Sequence, residues 1–202
     1  MDLADARTAG EAAAALLEAA AEVEPETTAD LVAMAPGIGE MAGLEFRLKG
    51  AASLERKIAD LVTLYAGTAT PADIAVGISD VLRYTVIIPE ETYVAGFEAM
   101  IGRLEDAGYR VVAVKNSWGN PSGYRGINTV IESPTGQRFE LQFHTADSFQ
   151  AKTETHVLYE EQRRADTTPA RRDELQREMD RRFDQVPVPP DAPDVRAVGS
   201  AS

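Results

Sequence analysis

Eight consecutive residues, Val81-Leu82-Arg83-Tyr84-Thr85-Val86-Ile87-Ile88, form a β-branched and aromatic run that ends at Pro89. This composition and this boundary are typical of a β-strand. The following residues 90–107 carry apolar side chains at helical spacing and stop at Gly108, which predicts a helix. A second strand is predicted over residues 109–114, so this region forms a β-α-β unit.

The chain after this unit continues the alternation of strands and helices. Residues 116–123 are rich in turn-forming residues and predict a loop. Residues 124–132 and 137–143 are predicted strands joined by a hairpin turn. Helices are predicted over 148–164 and 169–186. This order is typical of an α+β domain, with a mixed β-sheet of about five strands flanked by helices.

The two ends of the chain are predicted to be accessory. Residues 1–39 form a helical lead-in, because an alanine-rich run and a second short helical segment precede a Pro-Gly break. The main domain then spans residues 40–165, and an accessory C-terminal helix lies within 166–186. Residues 187–202 are proline-rich and then small and polar, so we expect a disordered tail.

The composition limits the classes of function. The 202 residues contain no cysteine and two histidines, so neither a disulfide framework nor a histidine-rich metal cage is expected. No apolar run approaches the ~20 residues that a membrane span needs, and the N-terminus lacks a secretion signal of the usual kind. We therefore expect no membrane partner and a cytoplasmic site of action.

The net charge of −13 is unevenly distributed. Residues 1–40 hold nine acidic residues and one cation, a charge of −8, which leaves −5 for residues 41–202. Binding to duplex nucleic acid draws most of its affinity from many Lys and Arg contacts to phosphate. Duplex nucleic acid is therefore not an expected partner, whereas a single strand end entering a local basic pocket stays open.

Four cations lie within the eleven residues from Arg47 to Lys57. If this segment opens the helix predicted over residues 53–66, Lys49, Ser53 and Lys57 line one helix face. Ammonium, guanidinium and hydroxyl groups near a helix start favour the anionic oxygens of a phosphate chain. The alternative is a solvated helix face whose cations pair with neighbouring acidic residues.

Two acidic residues stand out by position. Asp80 immediately precedes the first strand. Glu140 lies inside the last predicted strand, where alternation puts it on the same face as Gln142 and His144. A carboxylate, an amide and an imidazole are costly to bury, so this face is either the exposed face of an edge strand or a functional site.

Taken in order, these residues resemble the motif set of the RelA/SpoT-type nucleotide pyrophosphokinases, the alarmone synthetases. The motifs are Arg47-x-Lys49-x-x-x-Ser53-x-x-x-Lys57, Asp80 before a strand, Gly123-Tyr124-Arg125-Gly126-Ile127-Asn128-Thr129, and Glu140-Leu141-Gln142-Phe143-His144-Thr145. Each motif is weak alone, but four in the right order make a specific match over residues 44–162. The resemblance implies a nucleotidyltransferase-like synthetase fold.

The resemblance also implies an activity, the transfer of pyrophosphate from ATP to the 3′-hydroxyl of a purine nucleotide, with Mg²⁺ as cofactor. The residues that it assigns to the ATP donor are Arg47, Lys49, Ser53 and Lys57. The catalytic and metal-binding residues are Asp80 and Glu140, with Glu140 as the base for the attacking hydroxyl. The residues that it assigns to the acceptor are Tyr124, Arg125, Asn128, Gln142 and His144.

The departures from the family pattern fall mostly on the acceptor side. The positions that differ are Asn128 in place of a histidine, Asn120 and Ser122 in place of a lysine and an asparagine, His144 in place of an arginine, and Thr85 in place of an arginine, with Arg83 two residues earlier. Three acceptors therefore stay open: GDP or GTP giving (p)ppGpp, ADP or ATP giving (p)ppApp, and the 3′ end of tRNA.

A synthetase without the family's hydrolase motif suggests a stand-alone synthetase or a toxin. Gly43-Leu44-Glu45-Phe46-Arg47-Leu48-Lys49 and Ser148-x-x-Ala151-Lys152-x-x-x-His156-x-x-Tyr159-Glu160 resemble toxin modules of larger secreted or phage proteins. That resemblance implies delivery as part of such a protein and an antitoxin or immunity protein as partner. The alternative to an enzyme is a regulator that binds a nucleotide without catalysis. We interpret Trp118 and Phe149 as packing residues or loop anchors, and His156 as a core or helix-packing residue rather than a catalytic one.

Overall fold

The computed structural model describes residues 2–65, 68–164 and 166–197. The first residue of the predicted lead-in, the predicted helix end at residue 66, the domain boundary at residue 165 and tail residues 198–202 lie outside the described residues.

The centre of the molecule is a five-stranded mixed sheet with the strand order β1-β2-β5-β4-β3. The strands are β1 (Glu40–Ala42), β2 (Arg83–Ile87), β3 (Arg110–Asn116), β4 (Ile127–Glu132) and β5 (Arg138–His144). The neighbours β2 and β5 are parallel, and the other three neighbouring pairs are antiparallel. The predicted α+β fold with about five strands is confirmed, although β1 itself was not predicted.

Within the described residues, six α-helices accompany the sheet. They are α1 (Ala9–Met34), α2 (Ala51–Leu64), α3 (Pro71–Val76), α4 (Tyr93–Asp106), α5 (Ala146–Gln162) and α6 (Pro169–Phe183). The two helical segments predicted for the lead-in form one helix, α1, with Pro25 inside it, and its start is capped by a capping box between Thr8 and Glu11. Helix α3 was not predicted; Thr70 and Asp73 form its capping box. None of the described helices is both long and apolar enough to cross a membrane.

The two faces of β5 differ sharply. Phe139, Leu141 and Phe143 are fully buried in the apolar core, where the ring of Phe143 lies 4.9 Å from that of Phe97 on α4. Glu140, Gln142 and His144 alternate with them on the opposite face. Because β5 is the central strand of the sheet, its polar face is not that of an edge strand. The edge-strand alternative is therefore wrong.

Residues 187–197 differ from the predicted disordered tail. A short 3₁₀ turn spans Ala192–Asp194, and the side chain of Ala192 is fully buried. The side-chain amide of Asn116 donates to the carbonyl oxygens of Ala192 at 2.8 Å and Val195 at 2.9 Å. A proline-rich segment cannot build a core of its own, but here it packs on the end of β3. The remaining domain boundaries stay predictions.

Candidate active site

The cation segment lies beside the start of β2. The N–H of Arg83 donates to Arg47 O at 2.8 Å, and the N–H of Lys49 donates to Val81 O at 2.9 Å. Helix α2 begins only at Ala51, so Lys49 lies in an extended segment before the helix and not on the predicted helix face. This short antiparallel bridge places Lys49 next to Asp80, which lies just before β2.

Asp80 holds both predicted phosphate-binding lysines. Lys49 Nζ donates to Asp80 Oδ2 and Lys57 Nζ to Oδ1, each at 2.8 Å. Burial alone would raise the pKa of this carboxyl, but the two lysine hydrogen bonds outweigh it and lower the pKa to about 2. Asp80 is therefore ionised at neutral pH, and the cluster carries one net positive charge.

Arg47 is tied to the N-terminal helix. Its Nε donates to the carboxylate of Glu24 on α1, and its NH1 donates to Leu44 O at 2.6 Å. The hydrogen bonds from Arg47 and then from Thr28 lower the pKa of Glu24. Sequence analysis missed this partner, because the helical pattern of α1 gives no sign that one of its glutamates faces an arginine.

Ser53 is half-buried on α2, and in the described part of the chain its hydroxyl makes no hydrogen bond. Arg56 of the same helix lies 3.5 Å from Glu160 on α5. Both of these side chains are exposed, so the pair contributes little stability. It nevertheless shows that α2 and α5 approach each other.

Glu140 is held by one of its two carboxylate oxygens. Oε1 accepts hydrogen bonds from Asn128 Nδ2 at 2.9 Å and from Gln142 Nε2 at 2.7 Å. Asn128 and Gln142 are direct partners in the antiparallel register of β4 and β5. Within residues 2–65, 68–164 and 166–197, Oε2 accepts no hydrogen bond. The free oxygen is available to a substrate hydroxyl or a cation.

Tyr124 and His144 extend this network. The Tyr124 hydroxyl lies 2.7 Å from Asn128 Oδ1 and 2.8 Å from His144 Nε2. Burial, and then the charge of Glu140, raise the pKa of Tyr124. Burial, and then the charge of Lys152, lower the pKa of His144 well below its usual range. The hydroxyl therefore stays protonated and the imidazole stays neutral.

Lys152 on α5 was not among the predicted site residues, although it lies in the segment that resembles toxin modules. Its Nζ donates to Gln142 Oε1 at 2.5 Å. Burial, and then the nearby charge of Arg83, lower the pKa of Lys152 to about 8, while Glu140 acts in the opposite direction. Arg83 is the register partner of Glu140 across the parallel β2–β5 pair. Two cations thus flank the glutamate.

The predicted acceptor residues separate into two groups. Tyr124, Asn128, Gln142 and His144 form one network with Glu140. Arg125 does not join it: its buried guanidinium donates to Asn120 O at 2.7 Å and lies 4.0 Å from Asp184. The His144 side chain has no exposed surface, so in this structure it contacts other residues of the network and is not open to a ligand.

The three residues that we interpreted as packing residues have different outcomes. Trp118 is buried, and its ring lies edge-on to Tyr93 at 5.2 Å. Phe149 packs edge-on to His144 at 6.0 Å. The interpretation is wrong for His156, which is exposed on α5.

The predicted ligands of a metal ion are the carboxylates of Asp80 and Glu140. Glu140 N donates to Leu82 O at 2.9 Å, so Asp80 and Glu140 lie on adjacent chain segments. Among the described residues, no group of three or more Asp, Glu, His or Cys side chains could hold a metal ion. Two hard oxygen donors fit Mg²⁺, which keeps several waters and takes further oxygens from substrate phosphates.

Comparison with known proteins gives the class of fold. No family model matches the sequence, and no curated protein matches it. Among solved structures, the chain has the fold of the small alarmone synthetases, a mixed sheet with flanking helices.

Three solved structures illustrate the likeness. The Type VI effector Tas1, in complex with its immunity protein, has a TM-score of 0.52 and 18% identity over 84% of this chain and 93% of that chain. Small alarmone synthetase 1 from Bacillus subtilis, bound to its product pppGpp, has a TM-score of 0.53 and 17% identity over 83% and 87%. A GTP pyrophosphokinase family protein from Streptococcus pneumoniae has a TM-score of 0.53 and 18% identity over 84% of both chains.

Proposed function

We propose that this chain is a Mg²⁺-dependent pyrophosphokinase that transfers the β,γ-pyrophosphate of ATP to the 3′-hydroxyl of a purine nucleotide. The observation that carries the proposal is the state of Glu140. On a fold shared with alarmone synthetases, two amides hold Oε1 of this carboxylate and leave Oε2 open. A general base needs such a fixed carboxylate within reach of the hydroxyl it deprotonates.

The chemical step requires one proton acceptor and strong positive charge. The acceptor's 3′ oxygen bonds to the β-phosphorus of ATP, the bond from that phosphorus to the α,β-bridging oxygen breaks, AMP leaves, and Glu140 takes the proton. Lys49 and Lys57 bind the phosphate oxygens, with Arg47 and Ser53 beside them. Asp80 and Glu140 would hold Mg²⁺, which supplies charge stabilisation to the phosphates when bound.

The acceptor proposal is a guanine or adenine nucleotide. Tyr124 is partly exposed and would offer its ring for base stacking, and Asn128 and Gln142 line the same face of the sheet. GDP or GTP would give (p)ppGpp, and ADP or ATP would give (p)ppApp. The tRNA 3′ end is a further candidate, disfavoured by the −5 charge of residues 41–202.

The biological role that we propose is that of a growth-arresting toxin acting in the cytoplasm, with an immunity protein as partner. Its support is the shared fold with Tas1, which was solved with its own immunity protein. Induced expression tests it: wild type should arrest growth and Glu140→Gln should not. Arrest by both would remove pyrophosphate transfer as its cause.

The deciding biochemical experiment uses γ-labelled ATP, Mg²⁺ and a panel of GDP, GTP, ADP, ATP and tRNA. Glu140→Gln keeps an acceptor oxygen for Asn128 and Gln142 but removes the base. Glu132→Gln, in the neighbouring strand β4, is the matched control. Labelled product from wild type and the control, absent in Glu140→Gln, is the expected result. ATP binding without transfer to any acceptor would instead support a non-catalytic regulator.

A further inference from the structure

Helix α5 sends two polar side chains, one helical turn apart, towards the polar face of β5. Ser148 Oγ lies 2.8 Å from His144 Nδ1, and Lys152 Nζ lies 2.5 Å from Gln142 Oε1. Residues four apart share a helix face. The proposed reaction assigns neither residue a contact with phosphate or acceptor, yet each begins a hydrogen-bond chain that ends on Glu140.

The directions of the hydrogen bonds in the first chain can be assigned. A carboxylate only accepts, so the Asn128 amide nitrogen faces Glu140, and its carbonyl oxygen accepts from the Tyr124 hydroxyl. That hydroxyl has no second proton, so the contact with His144 requires a protonated Nε2. In a neutral imidazole Nδ1 is then an acceptor, and the Ser148 hydroxyl donates its one proton to Nδ1 at 2.8 Å in preference to Thr145 O, which lies farther away at 3.2 Å.

The second chain is shorter. Lys152 donates to the carbonyl oxygen of the Gln142 side chain, which fixes the orientation of the amide. The amide nitrogen of Gln142 must then face Glu140, to which it donates at 2.7 Å. Both chains end on the same oxygen, Oε1, and both begin on the same face of α5.

We propose that Ser148 and Lys152 are positioning residues for Glu140, which hold the carboxylate by Oε1 so that Oε2 meets the acceptor hydroxyl. This inference rests on the proposed pyrophosphate transfer. A fully buried imidazole and a half-buried ammonium are costly to place between a helix and a sheet, and apolar side chains would pack there without that cost. We infer that these polar groups are kept at this position because they orient a catalytic carboxylate.

The kinetic test uses variants of the full chain with matched controls. Lys152→Met removes the donor but keeps the length of the side chain, and its control is the exposed neighbour Thr153→Ala. Ser148→Ala also removes a capping hydrogen bond of α5. Its control is therefore Thr145→Ala, which loses the reciprocal capping bond but removes no residue of the hydrogen-bond chain that leads to Glu140. Lys152→Arg retains a cationic donor.

The expected result is a fall in kcat of about 10- to 100-fold for Lys152→Met and Ser148→Ala, the range seen for supporting hydrogen bonds at other sites. KM for ATP should stay unchanged, Lys152→Arg should recover part of the loss, and the two controls should resemble wild type. If wild type transfers pyrophosphate and both variants keep its kcat, the inference is overturned while the proposed function stands. A wild type without transfer overturns both.

The ¹⁵N NMR spectrum of His144 tests the hydrogen-bond chain from Ser148 directly. The ¹⁵N shifts of His144 should report a neutral ring protonated at Nε2 in wild type, and this preference should weaken in Ser148→Ala but not in Thr145→Ala. A wild-type ring protonated at Nδ1 would reverse the assigned directions and overturn the inference, whatever the kinetics show.

Discussion

Lys49 donates to Asp80 at 2.8 Å and thereby joins a proposed phosphate-binding cation to a proposed metal-binding carboxylate. Lys57 donates to the other oxygen of the same carboxylate. Without nucleotide, the two lysines are thus partly neutralised by the residue that would face Mg²⁺. Binding of the metal and of the phosphates should therefore be coupled, because both require Asp80 and the lysines to exchange partners.

Asp80→Asn tests this coupling. We expect turnover to fall about 10²- to 10³-fold, as for other electrostatic groups of active sites. Metal-free ATP should bind roughly tenfold more tightly, since the lysines no longer have an anionic partner and ~1.4 kcal/mol suffices for that change. Calorimetry with EDTA present measures the binding. Weaker metal-free binding would contradict the exchange of partners.

The same carboxylate predicts a dependence of stability on acid. The pKa of Asp80 falls from 3.8 to about 2 on folding, so its contribution is complete above about pH 4 and is lost as the pH falls through 2. The shift corresponds to about 2 kcal/mol of unfolding free energy. The difference in unfolding free energy between wild type and Asp80→Asn, measured by urea titration, should therefore shrink between pH 4 and pH 2. A difference that stays constant over this range would contradict the lowered pKa of Asp80.

Glu24 on α1 is predicted to stabilise the fold through Arg47. Glu24→Ala should lower the free energy of unfolding by about 1–3 kcal/mol, because it leaves a partly buried guanidinium without its charged acceptor. Glu22→Ala, an exposed glutamate on the same helix, is the control and should have little effect. Equal changes of stability in the two variants would mean that the ion pair with Arg47 contributes nothing.

Gly126 is predicted to be required for the Tyr124–His144 contact. Its φ is +155°, and an added Cβ would lie 3.1 Å from the Tyr124 hydroxyl oxygen and from His144 Cε1. Gly126→Ala should lower the unfolding free energy by about 1–3 kcal/mol. Gly102→Ala, on α4 with nothing within 4 Å of the added Cβ, should raise it by up to about 1 kcal/mol. Thermal unfolding of both variants decides whether the close approach matters.

Much of the architecture could be predicted from local patterns. The β-branched run before Pro89 became β2, and the hairpin became β4 and β5 with boundaries shifted by up to three residues. Two of the elements that sequence analysis did not predict correctly differ from the prediction for opposite reasons. Pro25 is accommodated inside α1, where the surrounding helix is supported by packing. The three-residue strand β1 is too short to produce a pattern and exists through its pairing with β2.

By itself, the sequence determined the class of fold and the candidate residues of the functional site. Alternation along Arg138–His144 places Glu140, Gln142 and His144 on one face, and that follows from backbone geometry alone. Only the tertiary structure decided what that face meets. The partners Lys57–Asp80 and Arg47–Glu24 are each separated by 23 residues, and Tyr124–His144 by 20. Such contacts depend on strand register and helix packing, which local propensities do not encode, because they arise only when distant segments share one core.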